Sequence, residues 1–476
     1  MTALGTPAEV SAEVREGTYG ARLTAVEPGG AGFIPLSERH GRPLNLFWTW
    51  MSPNLEFATV FVGVISVLYF QQTFGQAVAA IVLGTALGSA THGILSARGP
   101  LMGVPQMVLS RIGFGYRGNI LPAGLNAVVA GIGWLAVNSV SGALALATLT
   151  GLPNLLCLAI VVIAQVAIAF FGHNLVQAFE RYAFPILAVI FLITSIITLT
   201  KATPSAVAGA TSATGGTGGF LLTVGASFGY AAGWNPYAAD YTRYLPPSTS
   251  KVATGVWAGL GVFVSCTFLQ IVGAASATIA APGIENPTEA FTSHLPSFVG
   301  DLTLLAIALG AISANAINIY SGSMSFLALG ITVPLGLRRA IVSGVFGVFG
   351  FLLAWSGLSD AGHKYENFLL IISYWIGPWL AVIFADWFLR RGKRVDGFLY
   401  DSKHNPWAGV VAMGVGMAVS IWLFSNQTNY VGLVAKHAPA LGDITFEVGF
   451  VLAAVVFFIL FRFQRDRDAE EAAVIE

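Results

Sequence analysis

Charge is the scarcest feature of this sequence. Asp, Glu, Lys and Arg make up 10% of its 476 residues, against 55% hydrophobic ones, whereas ordinary soluble domains carry roughly 25% charged residues. A soluble chain of this length needs charge to cover its surface, so much of this surface must face lipid. A mean hydropathy of +0.74 agrees. The little charge present is balanced, 23 basic against 23 acidic residues, so nothing points to a nucleic-acid partner. Cysteine is nearly absent. Cys157 and Cys266 both sit in apolar runs, and no CxxC or Cys/His cluster exists to frame disulfides or hold a metal. The first 43 residues are polar with no early apolar core, which is not the pattern of a secretory signal peptide. Also missing is any nucleophile–base constellation or metal cluster at membrane depth, so a membrane enzyme is disfavoured and no cofactor is implied.

Apolar runs and glycine are what the chain has in quantity, with 55 Gly residues. Polytopic bundles use Gly to let helices approach closely and to break them. A hydrocarbon core about 30 Å thick needs about 20 residues of helix. Twelve segments qualify: 44–70, 74–97, 119–149, 153–172, 182–200, 218–239, 251–281, 300–330, 335–356, 366–389, 406–425 and 445–463. They are numbered 1 to 12 below. Only Pro334 and the pair Arg338–Arg339 separate segments 8 and 9. The expected fold is an all-α integral membrane protein of about twelve transmembrane helices. With the N-terminus inside, 20 of the 23 Lys and Arg residues fall on the cytoplasmic side, leaving only Lys201, Lys364 and Lys436 outside. That asymmetry is a positive-inside signal. It predicts a multi-pass protein of the plasma (inner) membrane with two cytoplasmic tails, 1–43 and 464–476.

Two segments carry helix-breaking residues near mid-membrane: Ser52-Pro53-Asn54 in segment 1, and Gly229, Gly233 and Pro236 in segment 6. Each alone reads as a tolerated kink. Segments 1 and 6 are corresponding positions, however, if ten helices form two five-helix repeats. Paired interruptions of that kind are the best sequence pointer to a transporter binding site. Odd-numbered repeats also insert in opposite orientations. The expected organisation is therefore a repeat over 44–200, an inverted repeat over 201–404, and two additional helices over 405–463.

Polar residues at membrane depth are few. Trp134 and Asn138 share one face of segment 3. They read either as core packing against Gly131 or as an aromatic shelf with an amide to read a ring edge. Segment 8 places Asn315, Asn318 and Ser321 on one flank, which small-residue packing alone does not explain. Glu56 follows the first break at a depth where an ionisable side chain is costly and functional by default; the alternative is a shifted helix that lets it reach water. His92, Gln165 and Gln270 read as packing residues, and Asp386 as solvated.

The stretches GPLMGVPQMVLSRIGFGYRG, Trp134-xxx-Asn138, ASFGYAAGWNPYAADYTRYLP and NAINIYSGSMSFLALG together resemble the nucleobase–cation symporter-1 family, in particular its purine–cytosine permease branch. The likeness runs from about Leu44 to segment 12. It implies a five-plus-five inverted-repeat (leucine-transporter-type) fold with substrate between segments 1, 3, 6 and 8. By that resemblance Trp134 is similar to the Trp that stacks on the ligand ring, and Asn138 to an amide one turn later. Gly229 and Tyr230 fall where a pair covers the other ring face. Asn318 falls on a ligand-bonding amide with Asn315 one turn before it, and Ser52 and Asn54 lie in the unwound part of segment 1. One departure stands out. Sodium-coupled members place two adjacent hydroxyls on segment 8, and here those positions read Ile312 and Ser313. A sodium site near Trp50, Met51 and Ser313 loses a ligand from the about five or six oxygens a hard cation takes, while Glu56 offers a protonatable alternative. The coupling ion is thus proton or sodium. The expected activity is import of a purine or pyrimidine base by symport with alternating access. Hydantoin, allantoin or a B-vitamin ring would fit the same site, and a channel is disfavoured because the chain carries its own paired repeats.

Overall fold

The computed structural model describes residues 30–171, 173–206, 214–280, 284–330, 335–391 and 393–464. The first 29 residues of the N-terminal tail, residues 465–476 of the C-terminal tail, Pro334 and the side chains of Arg338 and Arg339 lie outside the described residues.

Helix occupies each of the intervals read as segments. In chain order these are Pro43–Met51 with Phe57–Leu68, then Phe74–Ser96, Ile120–Thr150, Asn154–Phe171, His173–Lys201, Gly219–Ala232, Lys251–Ala277, Ser297–Ala328, Leu335–Gly357, Ala361–Leu389, Ala408–Phe424 and Thr445–Phe461. Among the described residues, six helices are long and apolar enough to cross a membrane, and a seventh if the bent first pair counts as one span. Asn154–Phe170, Ser343–Gly357, Ala408–Phe424 and Thr445–Phe461 are apolar but shorter. Large apolar side chains such as Ile163, Val189, Leu192, Ile196, Val451 and Val455 are exposed. Water would disfavour such a surface; a lipid solvent does not.

Both breaks are present. In segment 1 a 3-10 turn at Ser52–Asn54 follows the first helix, Glu56 is extended (φ −147°, ψ 168°), and the second helix leaves at 64°. Pro53 has no N–H to continue the ladder. In segment 6 the helix ends at Ala232, a 3-10 turn covers Asn235–Tyr237, and a short helix resumes at Ala238–Thr242. A third irregularity was not legible beforehand: residues Val129–Trp134 form a π turn inside segment 3, a feature that recurs at functional sites.

Glycine sets the distance between helices. A Cβ on Gly63 would lie 1.7 Å from the Gln270 carbonyl oxygen, and one on Gly273 would lie 1.8 Å from that of Val60. Segments 1 and 7 therefore meet backbone to backbone at two places. Gly310 does the same for segment 8 against the break, where a Cβ would lie 2.6 Å from the Leu55 oxygen.

Packing ties down part of one tail and corrects one expectation. The part of the N-terminal tail that is described does not hang free: Ile34 is buried, Arg39 Nη1 donates to the Pro100 carbonyl at 2.6 Å, Arg243 Nη1 donates to that of Gly30 at 3.1 Å, and Tyr400 donates to that of Ala31 at 2.9 Å. Asp386, read as solvated, is 1% exposed and pairs with Arg390 at 2.8 Å. A charge near a helix end can be covered by an arginine one turn later, which no hydropathy pattern reveals.

Replacing Gly63 or Gly273 with Ala forces these backbones apart and should cost about 1–3 kcal/mol, as overpacking usually does. Thermal unfolding of the detergent-solubilised protein should show the loss, while Gly414→Ala, which meets nothing within 4 Å, should not.

Candidate substrate-binding site

The break in segment 1 is held by one side chain. Asn54 Nδ2 donates to the Trp50 carbonyl at 2.8 Å and to Ser265 Oγ at 3.0 Å, and its Oδ1 accepts from Trp234 Nε1 at 2.9 Å. Segments 1, 6 and 7 are thereby joined where segments 1 and 6 unwind. Thr59 Oγ1 donates to the Asn54 carbonyl at 2.7 Å and lies 2.5 Å from the Tyr230 hydroxyl, which donates to Glu56 Oε1 at 2.9 Å. Glu56 is 2% exposed and Tyr230 1%. A carboxyl, the break and an aromatic ring therefore form one hydrogen-bonded unit.

The ring of Tyr230 leads to Trp134. Their centroids are 5.4 Å apart with planes at 88°, and Trp134 meets Phe368 edge-on at 5.1 Å. The π turn delivers Trp134 to this position, and Gly133 beside it lets Phe368 close in: a Cβ there would lie 2.4 Å from the Phe368 ring.

One turn further along segment 3 the amides assemble. Asn138 Nδ2 donates to Asn315 Oδ1 at 3.0 Å, and Asn318 Nδ2 donates to the same oxygen at 3.2 Å. Asn315 Nδ2 donates to the Leu135 carbonyl at 3.0 Å and to Gln165 Oε1 at 2.9 Å. Gln165 Nε2 donates to Ser139 Oγ at 2.6 Å.

The structure thus brings together Asn54, Glu56, Tyr230 and Trp134 on one side, and Asn138, Asn315 and Asn318 on the other, with the single turn from Trp134 to Asn138 joining them. Gly229 faces elsewhere: a Cβ on it would lie 2.3 Å from the Leu369 carbonyl oxygen, so it seats segment 6 on segment 10. Ser52 and Ser313 are buried in the 3-10 turn and in segment 8. Trp50 is fully buried with its ring edge-on to His92 at 4.2 Å, and Met51 is half-buried beside it. Sequence reasoning missed Thr59, Trp234, Ser265 and Phe368, and it assigned Gln165 to packing. Gln165 did carry a signal, as an amide in an otherwise apolar run. Thr59 and Phe368 carried none.

Comparison with known proteins decides the family. The profile of the family described as "Permease for cytosine/purines, uracil, thiamine, allantoin" matches residues 33–449. The chain belongs to this family. It is 29% identical over 445 residues to the putative purine-cytosine permease YxlA of Bacillus subtilis, covering 90% of this chain and 94% of that protein. It is also 29% identical over 466 residues to the purine-cytosine permease fcyB of Emericella nidulans, covering 92% and 89%. Its fold is similar to that of Mhp1, a nucleobase-cation-symport-1 family transporter solved in a closed conformation with bromovinylhydantoin bound. The TM-score is 0.70 at 19% identity, with 95% and 97% of the two chains covered. The protein is a multi-pass membrane transporter and not an enzyme.

In this permease a cavity of about 280 Å³ opens beside the aromatic group rather than within it. Its walls include Phe57, Phe61, Gly133, Val137, Tyr365 and Phe368. Phe368 both lines this space and touches Trp134, so its ring is shared by the cavity and the aromatic group.

Base–aromatic stacking is worth roughly 1–3 kcal/mol, about a 5- to 150-fold change in affinity. Trp134→Ala should therefore abolish uptake while the protein stays in the membrane, and Trp134→Phe should retain part of it; radiolabelled-base uptake alongside surface-expression blots checks both. Replacing Asn138 or Asn318 with Asp or Leu should change the rank order of bases in competition uptake, because amides pair with ring edges through donor and acceptor together. Uniform scaling of all bases would reduce these two residues to helix packing.

Proposed function

We propose that this permease imports a purine or pyrimidine base across the plasma membrane by symport, alternating access between two faces of one central site. In this reading all twelve segments cross the membrane with both termini cytoplasmic. Segments 1–5 (44–200) and 6–10 (201–404) are inverted repeats, and segments 11 and 12 (405–463) are an appendage. Trp134 stacks on the base, Tyr230 covers it from segment 6, and Asn138 and Asn318 read its edge. Asn54 and Asn315 hold their neighbours in place, since protein partners occupy both ends of each amide.

One observation carries the coupling mechanism: the Tyr230 hydroxyl donates to Glu56 while its ring stands against Trp134. A proton arriving on Glu56 changes what that hydroxyl can donate to, and hence how firmly Tyr230 is held over the base. Proton and substrate would then be linked reciprocally, with the proton as the favoured ion. Sodium is the second reading, held by Ser313 and the carbonyls near Trp50 and Met51. The Trp50 carbonyl already accepts from Asn54, and a single hydroxyl replaces the pair that sodium-coupled relatives present. A second substrate reading, another flat heterocycle, is favoured by the hydantoin bound to Mhp1.

Glu56→Gln mimics the protonated carboxyl. It should still bind base and exchange it across the membrane, yet fail to concentrate it, and its binding should lose pH dependence. Uptake and counterflow in proteoliposomes with imposed proton or sodium gradients separate the readings. Saturable sodium dependence together with accumulation by Glu56→Gln would sink the proton mechanism.

A further inference from the structure

We propose that the cavity beside Phe368 is a second ligand site, apart from the Trp134–Tyr230 pair, and that it takes an apolar ring bearing one carboxylate. The proposal stands on the chemistry of the cavity and does not rest on the transport reading.

Aromatic rings form one wall of this space. Phe57 and Phe61 stack with centroids 5.5 Å apart and planes at 22°, and Phe61 stacks on Tyr365 at 5.6 Å and 16°. Val137 and Val140 of segment 3 and Leu353 of segment 9 add aliphatic surface. The volume is about 280 Å³, whereas a dry apolar cavity of ~150 Å³ already binds benzene. Two fused rings therefore match it in size.

The polar groups of the lining are turned to protein partners. Tyr365 donates its hydroxyl to the Ala58 carbonyl at 2.7 Å, Ser141 donates to that of Val137 at 3.4 Å, and Ser356 to that of Leu353 at 2.8 Å. Asn367 Nδ2 donates to Thr428 Oγ1 at 2.9 Å, and its Oδ1 accepts from the Thr428 N–H at 3.2 Å. A nucleobase resting here would leave several ring-edge donors and acceptors unpaired, which costs affinity. A hydrocarbon ring carries none.

Lys364 differs from these groups. It is the one charged residue among those that line the cavity, it is exposed, and its ammonium donates to the Ser356 carbonyl on segment 9. An ammonium has three N–H hydrogens, and this bond uses one. The nearby carboxyls of Asp360 and Glu366 are not part of the lining, and Asp360 bonds to His363 at 3.0 Å. A carboxylate at the mouth can thus meet Lys364 while its ring lies among Phe57, Phe61 and Phe368. Such an occupant bears on the same Phe368 ring that touches Trp134.

Thermal unfolding of the full chain in detergent tests the site, followed by a dye that reacts with the buried thiols of Cys157 and Cys266 as they emerge. A ligand that binds only the folded state raises the midpoint. The probes are 2-naphthylacetate, 2-naphthylethanol and 2-naphthylethylamine, which share a ring system and differ in charge. All three should stabilise the protein. The anion should bind about two- to fivefold more tightly than the alcohol, because an ion pair at an exposed lysine is worth no more than that, and the amine should bind most weakly. Lys364→Gln should remove the lead of the anion and leave the alcohol unchanged. Leu353→Trp and Ile371→Trp fill the cavity from segments 9 and 10, and each should abolish stabilisation by every probe; the midpoint without ligand shows which of them has folded. Unchanged probe binding in a folded, filled variant overturns the proposal, and so does an anion whose lead is absent or survives Lys364→Gln. Failure of the probes to bind leaves the transport reading standing, and failure of bases to bind leaves this site standing.

Discussion

A peptide group inside a bilayer has no water to turn to, so each N–H and C=O freed by a break must find a partner in the protein. The Asn54 side chain answers that constraint for this permease. It binds the Trp50 carbonyl released by the break, and it ties the turn to Ser265 on segment 7 and Trp234 on segment 6. Without such an amide the Trp50 carbonyl would lose this partner in a low-dielectric interior, next to the extended Glu56. The rest of the site inherits its position from this anchor. Thr59 binds the Asn54 carbonyl, Tyr230 binds Thr59 and Glu56, and the Tyr230 ring fixes where Trp134 can stand.

The second polar cluster follows a different logic. Asn315 sits at its centre and bonds outward in four directions, to Leu135, Gln165, Asn138 and Asn318. Networks of this kind in a dry interior are stiff, because each unmade bond is costly. The two clusters lie on the two sides of the Trp134 turn, one linked to an ionisable group and the other to neutral amides.

Close helix contact makes both clusters possible. Gly310 brings segment 8 against the break, and Gly63 and Gly273 bring segments 1 and 7 into backbone contact. With lipid outside there is little hydrophobic force between helices, so association depends on fit and on hydrogen bonds. That is why small residues and rare amides recur at the same interfaces, and why the large apolar side chains point outward.

Much of this was legible in the chain itself. Membrane residence follows from scarce charge and long apolar runs, and the two breaks from Pro53 and from Gly229, Gly233 and Pro236, because proline and glycine act locally. The amides of segments 3 and 8 stood out because a polar side chain at such depth demands a reason. The family was recognisable from four short strings. Tertiary structure decided the rest. It bonded Asn54 to segments 6 and 7 and Asn315 to Gln165, turned Gly229 toward segment 10, covered Asp386 with Arg390, and wound Trp134 into place through a π turn. Each of these depends on a partner distant in sequence: Thr59 and Tyr230 are 171 residues apart, and Asn315 and Leu135 are 180. Composition and spacing report which groups a helix carries and roughly how deep they lie. Which way an amide turns is settled only by the neighbours that hold its two ends.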